Sequence, residues 1–277
     1  MMRVLINTPA VHKAKFALDG VPTDFDAMPT LTVTTADGST IPATAERSAT
    51  GTYSWQMLGH PTVELLTLTW VGTVLSMPAA LTTYAEIVGG YYAAVDDVRA
   101  ADASLADADA DDIIAAINEA EDEAERIMGR AFVRRYRRDA NLRVDDCGCV
   151  TTRMAHVAAL RKITATLFGD AVTIAAANCR IVGDSTVWTG LPCGSLVTLD
   201  YEHGLDGDVP RGVIGAVKIR ARQYVQGSNS RVPLYSERVV IDPNGASVTR
   251  MLPGTTRTGV AEVDAVYGRY ALGFGIA

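Results

Sequence analysis

The spacing of apolar residues along this chain changes near residue 90. Before that point short apolar runs alternate with polar residues at a period of two, predicting strands over 3–7, 13–18, 30–35, 40–47, 52–57, 63–70 and 81–88. In the sixth run Leu66, Leu68 and Trp70 fall on one face, with Val63, Leu65, Thr67 and Thr69 opposite. Turn signals separate the runs. Asp37-Gly38 is the strongest, because both residues tolerate the positive φ of a type I′ hairpin. Thr50-Gly51, Gly59-His60-Pro61 and Val71-Gly72 are weaker versions. No long helix fits before residue 90. The expectation for residues 1–88 is an all-β, immunoglobulin-like sandwich.

The paired glycines Gly89-Gly90 mark a boundary, and the period then lengthens. A short helix is predicted over 95–101. The dominant element follows: Ile113, Ile114, Ile117, Ala120, Ala124, Ile127 and Met128 recur at three-and-four spacing and give one apolar stripe. Asp109 or Asp111 is placed to cap the start and Gly129 to end it, so about 19 residues make a rod of roughly 28 Å. Asp111, Asp112 and Glu119 lie toward its start and Arg126 and Arg130 at its end, the order the helix dipole favours.

Beyond this long acidic helix, Phe132, Val133 and Tyr136 are interleaved with arginines in a β-prone run. Residues 150–190 are ambiguous. Met154, Val157 and Leu160 suit a helical turn, 163–167 before Gly169-Asp170 suits a hairpin, and 172–175, 180–182 and 186–188 fit short strands. Residues 195–203 form a strand with Val197, Leu199 and Tyr201 on one face. Asp208 and Pro210 open a second helix over 210–225, buried through Val213, Ile214, Val217, Ala221 and Tyr224, with Arg211, Lys218, Arg220 and Arg222 on the remainder. A hairpin over 237–241 and 246–251, a short helix over 260–270 and a glycine-containing tail close the chain. The second domain, 89–277, is expected to be α+β, and the protein multidomain.

Length supports that division, since 277 residues exceed what one core usually serves. A net charge of −7 argues against a general nucleic-acid coat. The first 18 residues hold no apolar run of signal-peptide length, and no stretch reaches a membrane span. The expectation is a soluble chain made in the cytoplasm.

Candidate chemistry is sparse. Cys147, Cys149, Cys179 and Cys193 raise a four-thiolate zinc site, but one residue separates the first two and the others are unpaired, unlike structural zinc ligands. Asp200-Tyr201-Glu202-His203 invites an acid–base reading. Strand alternation sends Asp200 and Glu202 one way and Tyr201 and His203 the other, splitting such a site. There is no phosphate loop, dinucleotide turn or nucleophile elbow. Catalytic, cofactor-binding and metal residues are therefore none, and no enzyme is expected. Tyr53, Trp55 and Trp70 have two readings: stacking platforms for a carbohydrate, or sandwich core.

The order of pieces in the second domain resembles the head–tail connector (adaptor) proteins of tailed bacteriophages. The resemblance runs from GGYYAAVDDVRAA through the acidic helix to GRAFVRRYRR, then LVTLDYEHG with VPRGVIGAVKIRARQYV, and ends at TGVAEVDAVYGRY, covering residues 88–272. The sandwich in front looks like the extra N-terminal domain of connectors from phages of actinobacteria. The resemblance implies a non-enzymatic structural virion protein of the neck, at the head–tail interface. It implies a ring homo-oligomer, a dodecamer, that binds the portal protein, meets the next neck or tail-terminator protein, and extends the channel through which viral DNA passes without specific binding. No cofactor and no membrane are implied. The family's helices match 109–128, 210–225 and 260–270. Candidate subunit or portal interface residues are Ile113, Ile117, Glu121, Arg130, Arg134, Arg135, Arg137, Arg138, Val263, Tyr267 and Tyr270. The alternative is a carbohydrate- or surface-binding β-sandwich module with an interaction domain, which predicts an exposed Trp55 or Trp70.

Charge is polarised around the long helix, with 96–125 acidic and 126–143 basic. In a ring the acidic face of one subunit would meet the basic strand of its neighbour and set the register. The same arginines have two other placements, against the portal or along the channel, and the plain reading is a solvated helix beside a basic surface strand.

Overall fold

The structure, a computed structural model, describes residues 2–167, 170–229, 236–242, 245–251 and 258–272, with backbone alone at 167, 228–229, 236–242 and 245–251. Two compact units emerge, each built from two stretches. One comprises Met1–Gly90 with Arg134–Asp206, the other Tyr91–Val133 with Gly207–Ala277. Where the sequence pattern places one boundary at Gly89-Gly90, the chain leaves the first unit there and re-enters it at Arg134.

The first unit opens with ten strands: β1 (Met2–Leu5), β2 (Ala10–Lys15), β3 (Ala17–Leu18), β4 (Val21–Pro22), β5 (Thr30–Thr34), β6 (Thr40–Ile41), β7 (Glu46–Ala49), β8 (Thr52–Met57), β9 (Leu65–Val74) and β10 (Met77–Val88). They form a sheet of order β1-β10-β9-β5-β6, a second of order β2-β8-β7, and the small β3-β4 hairpin. Only β1 and β10 pair in parallel. Side chains from both larger sheets share one core that includes Tyr53, Trp55, Leu66, Leu68, Trp70 and Ile87. Phe16, Phe25, Tyr53 and Trp70 make a chain of ring contacts through it, with centroids 4.7, 5.4 and 6.5 Å apart.

Two expected turns differ. At Asp37-Gly38 only the glycine takes positive φ, and Thr35 N–H donates to the Ser39 carbonyl across a longer loop. At Val71-Gly72 there is no turn: β9 runs through to Val74, because a ring edge of Phe25 occupies the space above Gly72, where a Cβ would lie 2.8 Å from Phe25 Cδ1. The reversal comes at Leu75-Ser76, both in the left-handed region at φ 51° and 64°. That conformation is costly for a leucine. Asp26 compensates by accepting from the Leu75 N–H (2.9 Å) and the Ser76 N–H (2.8 Å).

The unit continues with β11 (Arg135–Arg143), β12 (Cys149–Thr151), β13 (Val157–Leu167), β14 (Asp170–Ile174), β15 (Arg180–Gly183), β16 (Thr186–Trp188) and β17 (Leu196–His203), arranged as β11-β17-β13-β14 and β12-β16-β15. Val157 and Leu160, which also suited a helical turn, belong to β13 and pair with His203 and Tyr201. The run 163–167, which suited a hairpin, pairs antiparallel with β14, Ile163 opposite Ile174; Gly169 lies outside the described residues.

All α-helices described lie in the second unit: α1 (Val95–Ala101), α2 (Ala110–Met128), α3 (Arg211–Asn229) and α4 (Ala261–Tyr270). Asp109 caps α2 by accepting from the Asp111 N–H at 3.0 Å, and Gly129 ends it at φ 69° with its N–H on the Glu125 carbonyl. The buried face of α2 carries Ile113, Ile117, Ala120, Ala124 and Met128, but also Glu121, Glu123 and Glu125, while Ile114 is exposed. On α3 the buried positions are Val213, Ala216, Val217, Ala221 and Val225. Arg220, expected on the wet side, is fully buried as well. A hairpin of β18 (Ser236–Asp242) and β19 (Gly245–Met251) precedes α4.

Candidate assembly surfaces and the charged cleft

The helices of the second unit meet around a charge. Arg220 donates from Nε to Glu123 Oε1 at 2.8 Å and from Nη2 to Oε2 at 2.7 Å, the fork-to-fork geometry that guanidinium and carboxylate favour. The Tyr224 hydroxyl donates to Glu123 Oε2, and Arg220 Nη1 reaches Gln223 Oε1 at 2.5 Å. Burial first, then the Glu123 carboxylate, push the Tyr224 pKa well above the usual phenol range, so this hydroxyl stays a donor. Beside this pair, Glu121 accepts from the Tyr92 N–H at 2.6 Å, the Tyr92 hydroxyl accepts from Phe132 N–H, and the Phe132 ring meets Tyr270 edge-on at 5.6 Å. The Leu272 N–H donates to the Met128 carbonyl, tying the end of α4 to the end of α2.

This packing corrects the expected interface. Ile113, Ile117, Glu121, Val263 and Tyr267 are between 0% and 4% exposed, and Arg135 is 1% exposed. They are interior residues of the chain, buried because the helices and sheet already cover them. Arg130 and Tyr270 are half-buried. Arg134, Arg137 and Arg138 keep side-chain exposures of 39%, 35% and 65% and remain at the surface.

The basic strand is also less free than its sequence suggests. Arg135 Nη1 donates to the Gly90 carbonyl at 2.7 Å. Arg137 Nε donates to Asp139 at 2.8 Å, and Arg138 lies 3.8 Å from Asp200. Asp139 also accepts from the Tyr201 hydroxyl (2.7 Å) and the Arg153 N–H (2.8 Å). Desolvation raises its pKa, but the three hydrogen bonds together outweigh that and hold the carboxyl below its usual range. The Tyr136 hydroxyl donates to Asp200 at 2.5 Å. As strand alternation requires, Asp200 and Glu202 meet Tyr136, Arg138 and Arg134, whereas Tyr201 and His203 face Asp139 and each other's rings at 5.8 Å. Burial, then Arg137 and Arg135, hold the His203 pKa down to about 3.

A cleft of about 430 Å³ in the first unit is lined by Ile6, Pro61, Val63, Gly89, Arg134, Arg161, Glu202 and Asp206. Glu202 accepts from Arg134 Nη1 at 2.7 Å through one oxygen and from Arg161 Nη2 at 2.5 Å through the other. Gly89 must lack a side chain here, because a Cβ would stand 2.8 Å from Arg134 Cβ while its N–H donates to the Arg134 carbonyl. No protein-family model matches the chain, and no curated protein matches it. The chain is similar to solved particle necks. One is a chain in the neck of an empty gene transfer agent particle computed with C6 symmetry, at 19% identity, 64% of this chain, 88% of that one and a TM-score of 0.41. Another, in the neck of a native particle computed with C12 symmetry, gives 17%, 67%, 94% and 0.38. A chain of the native virion gives 19%, 59%, 78% and 0.39. With TM-scores below 0.5, these likenesses fix no function for this chain.

Sequence reasoning missed Arg161, which sits in the ambiguous stretch and gave no signal, and it placed Arg220 on the wrong face. Tyr53, Trp55 and Trp70 are at most 5% exposed, which removes the stacking platforms of the carbohydrate reading. The four cysteines are free, Cys147 and Cys193 exposed, and the Cys193 thiol donates to Asp146 at 2.9 Å. Among the described residues no three metal-ligand side chains converge, and no helix is long and apolar enough to cross a membrane.

Proposed function

We propose that this chain is a non-enzymatic structural subunit of the neck of a tailed-phage-like particle. In this reading it forms a ring of twelve beneath the portal and joins it to the next neck component. The observation that carries the reading is the assembly of the second unit. The three helical pieces on which the connector resemblance rests are separated in sequence, yet α2, α3 and α4 pack into one body around Glu123 and Arg220. A sequence resemblance confined to unrelated fragments would not bring them together. The sandwich reading gains support from strand order. β2-β8-β7 against β1-β10-β9-β5-β6, with a parallel first pair, follows the B-E-D and G-F-C orders of an immunoglobulin-like fold.

The test is electron-microscope imaging of the purified chain, alone and mixed with the portal protein of the same particle. A ring stacked on the portal, with a countable number of subunits, is the expected result. Monomers in both samples with the portal left bare overturn the reading.

A further inference from the structure

Two pieces of this chain are incomplete in complementary ways. The first is a sheet edge. The outermost strands of the larger sheets in the first unit are β1 and β6, β2 and β7, β11 and β14, and β12 and β15. Each of these but one carries a feature that hinders further pairing. β7, β11 and β15 are bulged, and β2 carries Lys13 and Lys15. β6 and β12 have two and three residues, and β1 is half-buried or buried throughout. β14 has none of these features. Its five residues pair with β13 without a register shift, the first four are exposed, and it holds no lysine, arginine or proline. Leu167 and Asp170 flank a two-residue connection, so Asp170, Val172 and Ile174 exchange bonds with β13. The N–H and C=O groups of Ala171 and Thr173 therefore turn outward. Ile163 and Ala165 are fully buried opposite Ile174 and Val172, yet Val172 itself is 42% exposed, so the apolar face of the sheet runs to an uncovered edge.

The second piece is the β18–β19 hairpin. Among the described residues it is a two-stranded sheet joined to no other strand. Such a ribbon is marginal in water until a third strand or a packed layer completes it. Its register sets Val239 opposite Val248 and Ile241 opposite Ala246, which places four apolar residues on one face. The other two-stranded piece, β3–β4, has two residues in each strand and Pro22 in one of them. We infer that β14 is a docking edge for the β18–β19 hairpin of a second copy of this chain, with β18 laid against β14. β18 is the more apolar of the two strands, through Val239, Val240 and Ile241, and its apolar face continues the one that carries Val172 and Ile174. The four-stranded sheet becomes six-stranded, and neither β14 nor β18 is left with an open edge. The choice of a second copy rests on the ring reading above; the open edge of β14 does not.

The test is photo-crosslinking of the full chain, alone and mixed with the portal protein. Chains with p-benzoylphenylalanine in place of Val172 are mixed with wild-type chains labelled with heavy nitrogen, irradiated, and digested for mass spectrometry. Crosslinks from position 172 to residues 236–251 of the heavy chain are the expected result. Thr173→Pro removes an outward N–H and leaves the bonds to β13 in place, so it is expected to cut their yield at least tenfold. Ala171→Pro is the second variant should Thr173→Pro fail to fold. Crosslinks to any other segment, or to the hairpin of the same chain alone, overturn the proposal, as does a yield that the proline leaves unchanged. Hairpin crosslinks between chains in a sample without rings would uphold it and sink the ring reading. Rings crosslinked elsewhere would sink this proposal alone, and monomers without crosslinks would overturn both.

Discussion

Replacing Arg220 with methionine tests the packing of the helical unit directly. Methionine keeps much of the arginine's volume but leaves Glu123 buried, with Tyr224 as its remaining donor. Removing one partner of a buried, doubly bonded pair costs about 3–5 kcal/mol, because the surviving charge loses its compensation. With a urea slope of about 2 kcal/mol/M, the unfolding midpoint should fall by roughly 1.5–2.5 M. All described α-helices belong to this unit, so far-UV circular dichroism follows it, while Trp55, Trp70 and Trp188 report the other unit by fluorescence. Glu123→Gln combined with Arg220→Met removes both charges and should recover most of the loss, giving a coupling energy of about 3 kcal/mol. A single variant that loses under about 1 kcal/mol would refute the argument, as would a double variant no more stable than the single one.

Two further outcomes follow from the first unit. His203 is neutral when folded, with a pKa near 3 against an ordinary 6.5; its contribution is full above pH 6.5 and is lost as the pH falls from there toward 3, by at most about 1.4 kcal/mol per pH unit. His203→Phe should flatten the stability profile between pH 6.5 and 4.5 in urea titrations, and an unchanged slope would remove His203 as its cause. At the β9–β10 turn, Leu75→Asn with Ser76→Gly supplies residues that accept positive φ and should stabilise the unit by about 1 kcal/mol, whereas Asp26→Ala should destabilise it by a similar amount. Equal midpoints for all three proteins would show that Asp26 does not hold the turn.

What the sequence disclosed was what local chemistry decides. The ends of α2 could be read from Asp109 and Gly129, because a cap needs only its own first or last turn. The Leu75-Ser76 reversal could not be read, since its stabilising carboxylate lies 49 residues earlier, and Gly72 resembled a turn signal although its role is to clear space for Phe25. Periodicity assigned Arg220 to solvent because it counts arginine as polar. The glutamate that draws it inside is 97 residues away on another helix. The domain pattern suffered similarly, as no local signal tells that residues 134–206 rejoin the first unit.

The same distance effect changes what the charge asymmetry can do. By sequence, the arginines after α2 formed a surplus available to a neighbouring subunit. In the folded chain Glu202, Asp139 and Asp200 take up Arg134, Arg137 and Arg138, and Arg135 is buried. Reversing all four to glutamate would therefore place like charges beside three buried carboxylates and unfold the strand before it tested any interface. Exposed charges without an ion-pair partner among the described residues remain on both units, Lys13, Asp111 and Arg211 among them. An assembly set by one such contact per subunit pair would show a shallow dependence on salt. One set by the whole strand would lose affinity steeply, because each exposed pair screened adds to the slope.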